Sequence, residues 1–202
     1  MRLRNNPNAQ VELDASKYTV KEYPFKVNKN VIIELGMGKG EMITELAAQN
    51  PDKYYVGIEK FATVAHKAMK RAEKLELNNF SIIDKDIKDL PELIEGTVET
   101  IWLTFSDPWP KARHEKRRLT YKSFLDHYKN ILSEDGVINM KTDNDKLFLY
   151  SLESMQEYGM EILAVTRDFH NSKWIEGNVM TGYEKKWSES GKNINFLRAR
   201  FK

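Results

Sequence analysis

Two hydrophobic rhythms alternate along this chain. Val31–Leu35 is a short apolar run that ends in glycines, which predicts a buried strand. Residues 41–49 follow with Ile43, Leu46 and Ala47 at helical spacing, and residues 54–59 read as a second strand. Phe61, Val64, Ala65, Ala68, Ala72 and Leu75 form one stripe of a long helix. Residues 80–83 make a third strand and residues 100–105 a fourth. Tyr121, Phe124, Leu125, Tyr128 and Leu132 mark a helix, Asp135-Gly136 a turn, and residues 137–140 a fifth strand. Phe148, Leu152 and Met155 sit on a further helix. Residues 160–166 and 194–201 look like a closing strand pair, joined by a polar loop long enough to carry function.

Five strands plus that pair predict an α/β fold: a mostly parallel seven-stranded sheet with helices on both faces, of the Rossmann-like kind. Residues 1–30 are polar and weakly periodic, with Pro7 and Pro24 as breakers, and are expected to be an arm and entry segment before a domain at 31–202. In such sheets ligands bind beyond the carboxyl ends of the strands, where strand order reverses. Four strand ends carry glycines or carboxylates: residues 34–40, Glu59, Asp86 and Asp107.

Composition narrows the chemistry. Of 202 residues, 41% are hydrophobic and 31% charged, enough for a core and a well-solvated surface. The net charge is only +2, so a polyanion site has to be a local patch. Without cysteine there is no disulfide framework, thiolate metal site or cysteine nucleophile. The four histidines are scattered, and no metal is expected. The first residues lack the apolar core of a secretory leader and no apolar run reaches membrane-spanning length, so the expectation is a cytoplasmic protein with no membrane partner.

The turn Glu34-Leu35-Gly36-Met37-Gly38-Lys39-Gly40-Glu41 joins a strand to a helix. Its alternate glycines allow a tight bend and close approach of a ligand; a plain structural turn is the competing reading. It lacks the phosphate-loop pattern, and Glu34 and Glu41 would repel a pyrophosphate and favour an ammonium group. Glu59 is placed to accept ribose hydroxyls. Asp86 can hold an adenine amino group or cap the following helix, and both readings stay open. Asp107-Pro108-Trp109-Pro110 makes a stiff loop, with Asp107 and Trp109 biased toward extended geometry by the prolines after them. Trp109 either stacks on a base or packs under the loop, and packing is favoured. Behind it, Lys111, Arg113, Lys116, Arg117 and Arg118 against Glu115 give a local charge of +4, a phosphate-binding candidate, with Arg2 and Arg4 extending the footprint.

Phe105-Ser106-Asp107-Pro108-Trp109-Pro110-Lys111, followed by Arg113-His114 and Lys116-Arg117-Arg118-Leu119-Thr120, resembles the signature of the bacterial tRNA (guanine-N7-)-methyltransferase family, the TrmB type. The glycine turn, Lys141-Thr142-Asp143-Asn144, His170-Asn171-Ser172 and Met180-Thr181-Gly182-Tyr183-Glu184 match further blocks in the same order. The resemblance implies a class I methyltransferase fold, S-adenosylmethionine as cofactor and S-adenosylhomocysteine as product. It also implies tRNA as partner and methylation at N7 of guanine 46 in the variable loop. Carried over by motif, Glu34, Gly36, Gly38, Glu59, Asp86 and Asp107 hold the cofactor, and Asp107 is catalytic. Lys111, Asp143, Thr181, Gly182, Tyr183 and Glu184 contact substrate, and Arg113, Lys116, Arg117 and Arg118 are candidates for tRNA phosphates. Ala112 departs from the family, where many members have a second lysine.

Structural readings stand beside these. Asp143-Asn144 can cap the next helix, Thr181 and Glu184 have capping-box spacing, and Lys141 and His170 read as solvated or structural. The competing functions are a nicotinamide-dependent oxidoreductase, disfavoured by the glycine spacing and Glu34, and a non-catalytic RNA-binding module, disfavoured by the intact acids.

Overall fold

The computed structural model describes residues 6–202. Arg2 and Arg4 therefore lie outside the described residues. Along the chain come α1 (Ala9–Ala15), β1 (Phe25–Val27), β2 (Val31–Leu35), α2 (Glu41–Gln49), β3 (Tyr54–Ile58), α3 (Ala62–Lys74) and β4 (Phe80–Ile83). A short 3-10 turn at Ile87–Asp89 leads into α4 (Leu90–Leu93), β5 (Ile94–Gly96) and β6 (Val98–Thr104). A second 3-10 segment at Ala112–Arg117 precedes α5 (Lys122–Ile131), β7 (Leu132–Thr142), α6 (Asp145–Glu157), β8 (Glu161–Thr166), α7 (Gly182–Glu189) and β9 (Asn195–Arg200).

Seven strands form one sheet in the order β4-β3-β2-β6-β7-β9-β8. Every pairing from β4 to β7 is parallel, and β9 runs antiparallel to both its neighbours. The chain steps outward from β2 to β4, then returns to lay β6 on the other side of β2. Strand order thus reverses between β2 and β6, which places the ligand crevice there. Strands β1 and β5 pair separately as a small parallel sheet.

The two faces of the main sheet are covered differently. On one, Ile33, Leu35, Val56, Ile101, Leu103, Ile138 and Met140 pack with Leu125, Tyr128, Leu147 and Phe148 of α5 and α6. On the other, α1, α2 and α3 cover the β4-β3-β2 half, where Ile43, Ala65, Ala68, Met69 and Ala72 meet Tyr55, Phe80 and Ile82. The β6-β7-β9 half of that face is covered by the segment between β8 and β9. There Phe169, Trp174 and Trp187 pack with Trp102 and Phe196. Among the described residues no helix is long and apolar enough to cross a membrane.

Three expectations change. From residue 6 onward the N-terminal stretch is not a free arm. Leu13 and Tyr18 are buried against α3, and the Glu12 carboxylate lies 2.9 Å from His66 Nε2 and 3.4 Å from Lys70 Nζ. The turn at Asp135-Gly136 falls inside β7, where the ladder passes from Val98↔Leu132 to Thr100↔Val137 and residues 133–136 bulge out. The polar loop between β8 and β9 contains a helix, α7, whose first turn is capped by Thr181 Oγ1 accepting from the Glu184 amide at 2.9 Å.

Candidate functional site

A cavity of about 760 Å³ opens where β2, β3, β4 and β6 end. Gly36, Glu59, Asp86 and Asp107, one from each strand end, all line it. The wall is completed by Phe61, Ile87 and Phe124 and by Trp109, Lys116 and Arg117.

The glycine turn is built to fit between β2 and α3. Gly36, Gly38 and Gly40 have φ of 74°, 58° and 67°, a region that L side chains rarely adopt. At Gly40 a Cβ would also lie 2.6 Å from the Ala68 Cβ, so the small residues of α3 and this glycine are matched. The amides of Gly36 and Met37 both donate to the Ile58 carbonyl, which closes the turn onto the end of β3.

Glu59 Oε2 accepts from the Gly38 amide at 3.2 Å and Oε1 from the Phe61 amide at 3.0 Å. A carboxylate offers about four lone-pair sites, so two such bonds leave it able to accept more from the cavity. Burial raises its pKa, opposed by those two amides and by Lys60 and reinforced by the charge of Asp107. Asp86 does cap the following turn: Oδ1 accepts from the Lys88 amide at 3.1 Å, while Oδ2 lies 3.4 Å from Lys60 Nζ. Its side chain also lines the cavity, so capping and ligand contact are compatible.

Glu34 lies deeper, behind the turn rather than in the cavity wall, and is only 1% exposed. Thr104, on the neighbouring strand, donates its hydroxyl to Glu34 Oε1. Among the described residues Oε2 is buried with no hydrogen-bond partner. Burial pushes its pKa up to about 7, held from going further by the Thr104 hydroxyl and the nearby Lys141 charge. Between about pH 4.5 and about 7 the folded protein thus keeps a proton that the unfolded chain has released. That costs stability as pH rises through the window, on the order of 3 kcal/mol in full. Glu34→Gln should therefore gain in melting temperature relative to the wild type on going from about pH 5 to about pH 8. A difference between the two that stays constant with pH would show that Glu34 does not titrate there.

The Asp107 loop is shaped otherwise than the prolines foretold. Phe105 and Trp109 have φ of 50° and 40°, so Trp109 is not extended; the contacts behind it override the local bias. Asp107 is exposed and points its charge toward the cavity that Glu59 shares. Trp109 is half-buried, with the Arg117 guanidinium 4.8 Å above its ring and His114 edge-on at 5.6 Å. Its packing is thus with the basic run. Lys111, Arg113, Lys116 and Arg117 are exposed, whereas Arg118 is half-buried and turned back into the protein.

A second cluster lies on the same sheet face as Glu34. Lys141 of β7 is fully buried, and its Nζ donates to Glu184 Oε2 at 2.6 Å, Asn178 Oδ1 at 2.9 Å and the Val179 carbonyl at 3.1 Å. Glu184 Oε1 meets His170 Nε2 at 2.9 Å and accepts from Asn178 Nδ2 at 3.0 Å. His170 Nδ1 lies 3.1 Å from the Ser188 hydroxyl. Three donors therefore enclose the buried Glu184 carboxylate and tie α7 to β7. Lys141 and His170 are its partners and not solvated side chains. The available signal was a lysine in a strand whose neighbours are buried on both faces, because a charge in that place has to be paired. Burial lowers the Lys141 pKa, against the pull of Glu184 and Glu34.

The anchored segment reaches the start of α2 and the Asp107 loop too. The Gly182 amide donates to Glu41 at the start of α2, and Tyr183 packs its ring 5.2 Å from Phe105 while remaining about half exposed. Asn144, not Asp143, caps α6, by accepting from the Leu147 amide at 2.9 Å. Among the described residues the Asp143 side chain has no hydrogen bond or ion pair, so its carboxylate is available.

Residues 28–197 match a family described as a putative methyltransferase. The chain is 54% identical to a tRNA (guanine-N(7)-)-methyltransferase of Mycoplasmopsis pulmonis (strain UAB CTIP), with 100% of both chains covered. A protein of the same name from Mycoplasma mobile (strain ATCC 43663 / 163K / NCTC 11711) is 55% identical, again over 100% of both. Among solved structures, the 16S rRNA methyltransferase KamB aligns with a TM-score of 0.62 at 14% identity, covering 98% of this chain and 94% of that one, a likeness of fold alone. With a match over most of its length and relatives that align end to end, the chain belongs to the bacterial tRNA (guanine-N7-)-methyltransferase family that its Asp107 loop resembles.

Proposed function

We propose that this protein transfers a methyl group from S-adenosylmethionine to N7 of guanine 46 in the variable loop of tRNA, giving 7-methylguanosine. The observation that carries the reading is the convergence of Gly36, Glu59, Asp86 and Asp107 on one cavity that Trp109, Lys116 and Arg117 also line. The acids and the glycine suit the cofactor, and the basic run behind Asp107 suits a polyanion. The names of the relatives supply the substrate class.

The residues present fit the cofactor. Glu34 Oε2 lies buried behind the glycine turn with no hydrogen-bond partner among the described residues, an acceptor that an ammonium group reaching in past the turn would pair. Glu59 retains lone pairs for ribose hydroxyls, and Asp86 for an amino group. Gly36 and Gly38 keep side chains out of the way. When bound, S-adenosylmethionine supplies a methyl group on a cationic sulfur and leaves as S-adenosylhomocysteine.

Guanine N7 carries a lone pair and no proton, so no side chain has to act as a base. The ring gains positive charge as N7 is methylated. Asp107 and Asp143 steady that charge or accept hydrogen bonds from the N1–H and N2–H edge. Lys111, Thr181, Gly182 and Tyr183 make the substrate side of the site, and Glu184 holds that side in place from beneath. Arg113, Lys116 and Arg117 take phosphates. The setting is the cytoplasm, where tRNA is found.

The test is direct. Unmodified tRNA is incubated with the protein and labelled S-adenosylmethionine, then cleaved chemically at 7-methylguanine. Label at one guanine of the variable loop is expected. Label on another atom or another RNA region, or none with active cofactor, would overturn the reading.

A further inference from the structure

Trp109 stands two residues after Asp107 at a φ of +40°, in a region that side-chain-bearing residues rarely occupy, with Pro110 behind it. Such a conformation persists only where its surroundings hold it. The holder here is Arg118. Its Nε and Nη2 both donate to the Trp109 carbonyl, at 3.3 and 3.1 Å. Its guanidinium lies 4.2 Å from the ring centre of Tyr150 on α6. Among the described residues Arg118 forms no ion pair, so its contacts are a carbonyl and an aromatic face. Its neighbour Arg117 also lies over an aromatic ring, that of Trp109, but it is exposed, lines the cavity and makes no bond to the Trp109 carbonyl among the described residues.

We propose that Arg118 is a positioning residue for methyl transfer, gripping the Trp109 carbonyl from a seat on Tyr150 and so fixing the loop that aims Asp107 into the cavity. Phosphate contact then falls to Arg113, Lys116 and Arg117. This rests on the tRNA methylation proposed above. The fork of the guanidinium is what the role needs. A lysine ammonium keeps the charge but cannot donate in parallel to one carbonyl while lying flat on a ring.

Single-turnover transfer at saturating tRNA and cofactor, together with tRNA affinity as a function of salt, separates the roles. Arg118→Ala should lower the rate at least about tenfold, because small misplacement of reacting groups costs heavily. Its salt slope should equal that of the wild type. Arg118→Lys should recover less than half of the lost rate. Tyr150→Leu, which leaves every charge in place, should slow transfer in the same sense. Arg117→Ala should lose about one unit of salt slope, the mark of one phosphate contact. A slope for Arg118→Ala reduced as for Arg117→Ala, or a rate equal to the wild type, would overturn the proposal. No transfer by the wild-type protein would overturn the functional reading and this one with it, which tells the two failures apart.

Discussion

Exchanging Lys141 for Met is expected to lower the unfolding free energy by about 3–5 kcal/mol, the usual cost of leaving one member of a buried ion pair alone. Lys141 is 0% exposed, and its three N–H groups meet three acceptors, all in the segment 178–184. Removing the ammonium leaves the Glu184 carboxylate buried with only the His170 and Asn178 donors. It also removes the cation that favours ionised Glu34 on the same sheet face. The double variant Lys141→Met with Glu184→Gln should recover at least about 2 kcal/mol of that loss, since a neutral side chain no longer strands a charge. Urea unfolding of the two single variants and the double one measures the coupling. Equal stability of Lys141→Met and the double variant would show that the pair carries no such energy.

This cluster also shows where sequence reading stops. The five parallel strands of the main sheet were legible because each is a run of apolar residues closed by a glycine or an acid at the end that faces the site, whereas the short β1 and β5 went unread. Helices α2, α3, α5 and α6 were legible from their stripes, to within a few residues. The pairing of Lys141 with Glu184 spans 43 residues and depends on how the β8–β9 connection folds back over the sheet, which no local period encodes. Helix α1 was missed for a related reason. It has seven residues, and it is held by Leu13 packing on α3 and not by a long stripe of its own. At Thr181 the capping-box spacing did foretell a helix start, and α7 begins there, but the helix itself went unread behind its polar residues.

The candidate site divides along the same line. Acids at strand ends were legible because topology alone brings such ends together, and Glu59, Asp86 and Asp107 do meet in one cavity. Glu34 was legible as an acid but not as one sealed behind the turn. The basic run was legible as charge; which of its members face outward was not, because Arg118 is turned inward by Trp109 and Tyr150.

Asp107→Asn is expected to slow single-turnover transfer by about 100- to 1,000-fold, the range seen when one fixed group that stabilises transition-state charge is lost. The substitution keeps the shape of the side chain and removes only its charge. Asp107 is exposed, so stability should change by less than about 0.5 kcal/mol and the melting temperature acts as a control. Its charge contributes to the raised pKa of Glu59, so neutralising it should ease Glu59 toward its ordinary value. Cofactor affinity should not collapse with the rate, because Glu34, Glu59 and Asp86 are untouched. Removal of a proton is not part of N7 methylation, so the carboxylate is expected to act through its charge and not as a base. If the charge is the active feature, Asp107→Ala loses at least as much as Asp107→Asn, and Asp107→Glu, longer by one methylene in a stiff loop, keeps the charge yet recovers only part. Transfer by Asp107→Asn at the wild-type rate, with saturating tRNA and cofactor, would remove the carboxylate from the chemistry and leave the loop as a binding wall alone.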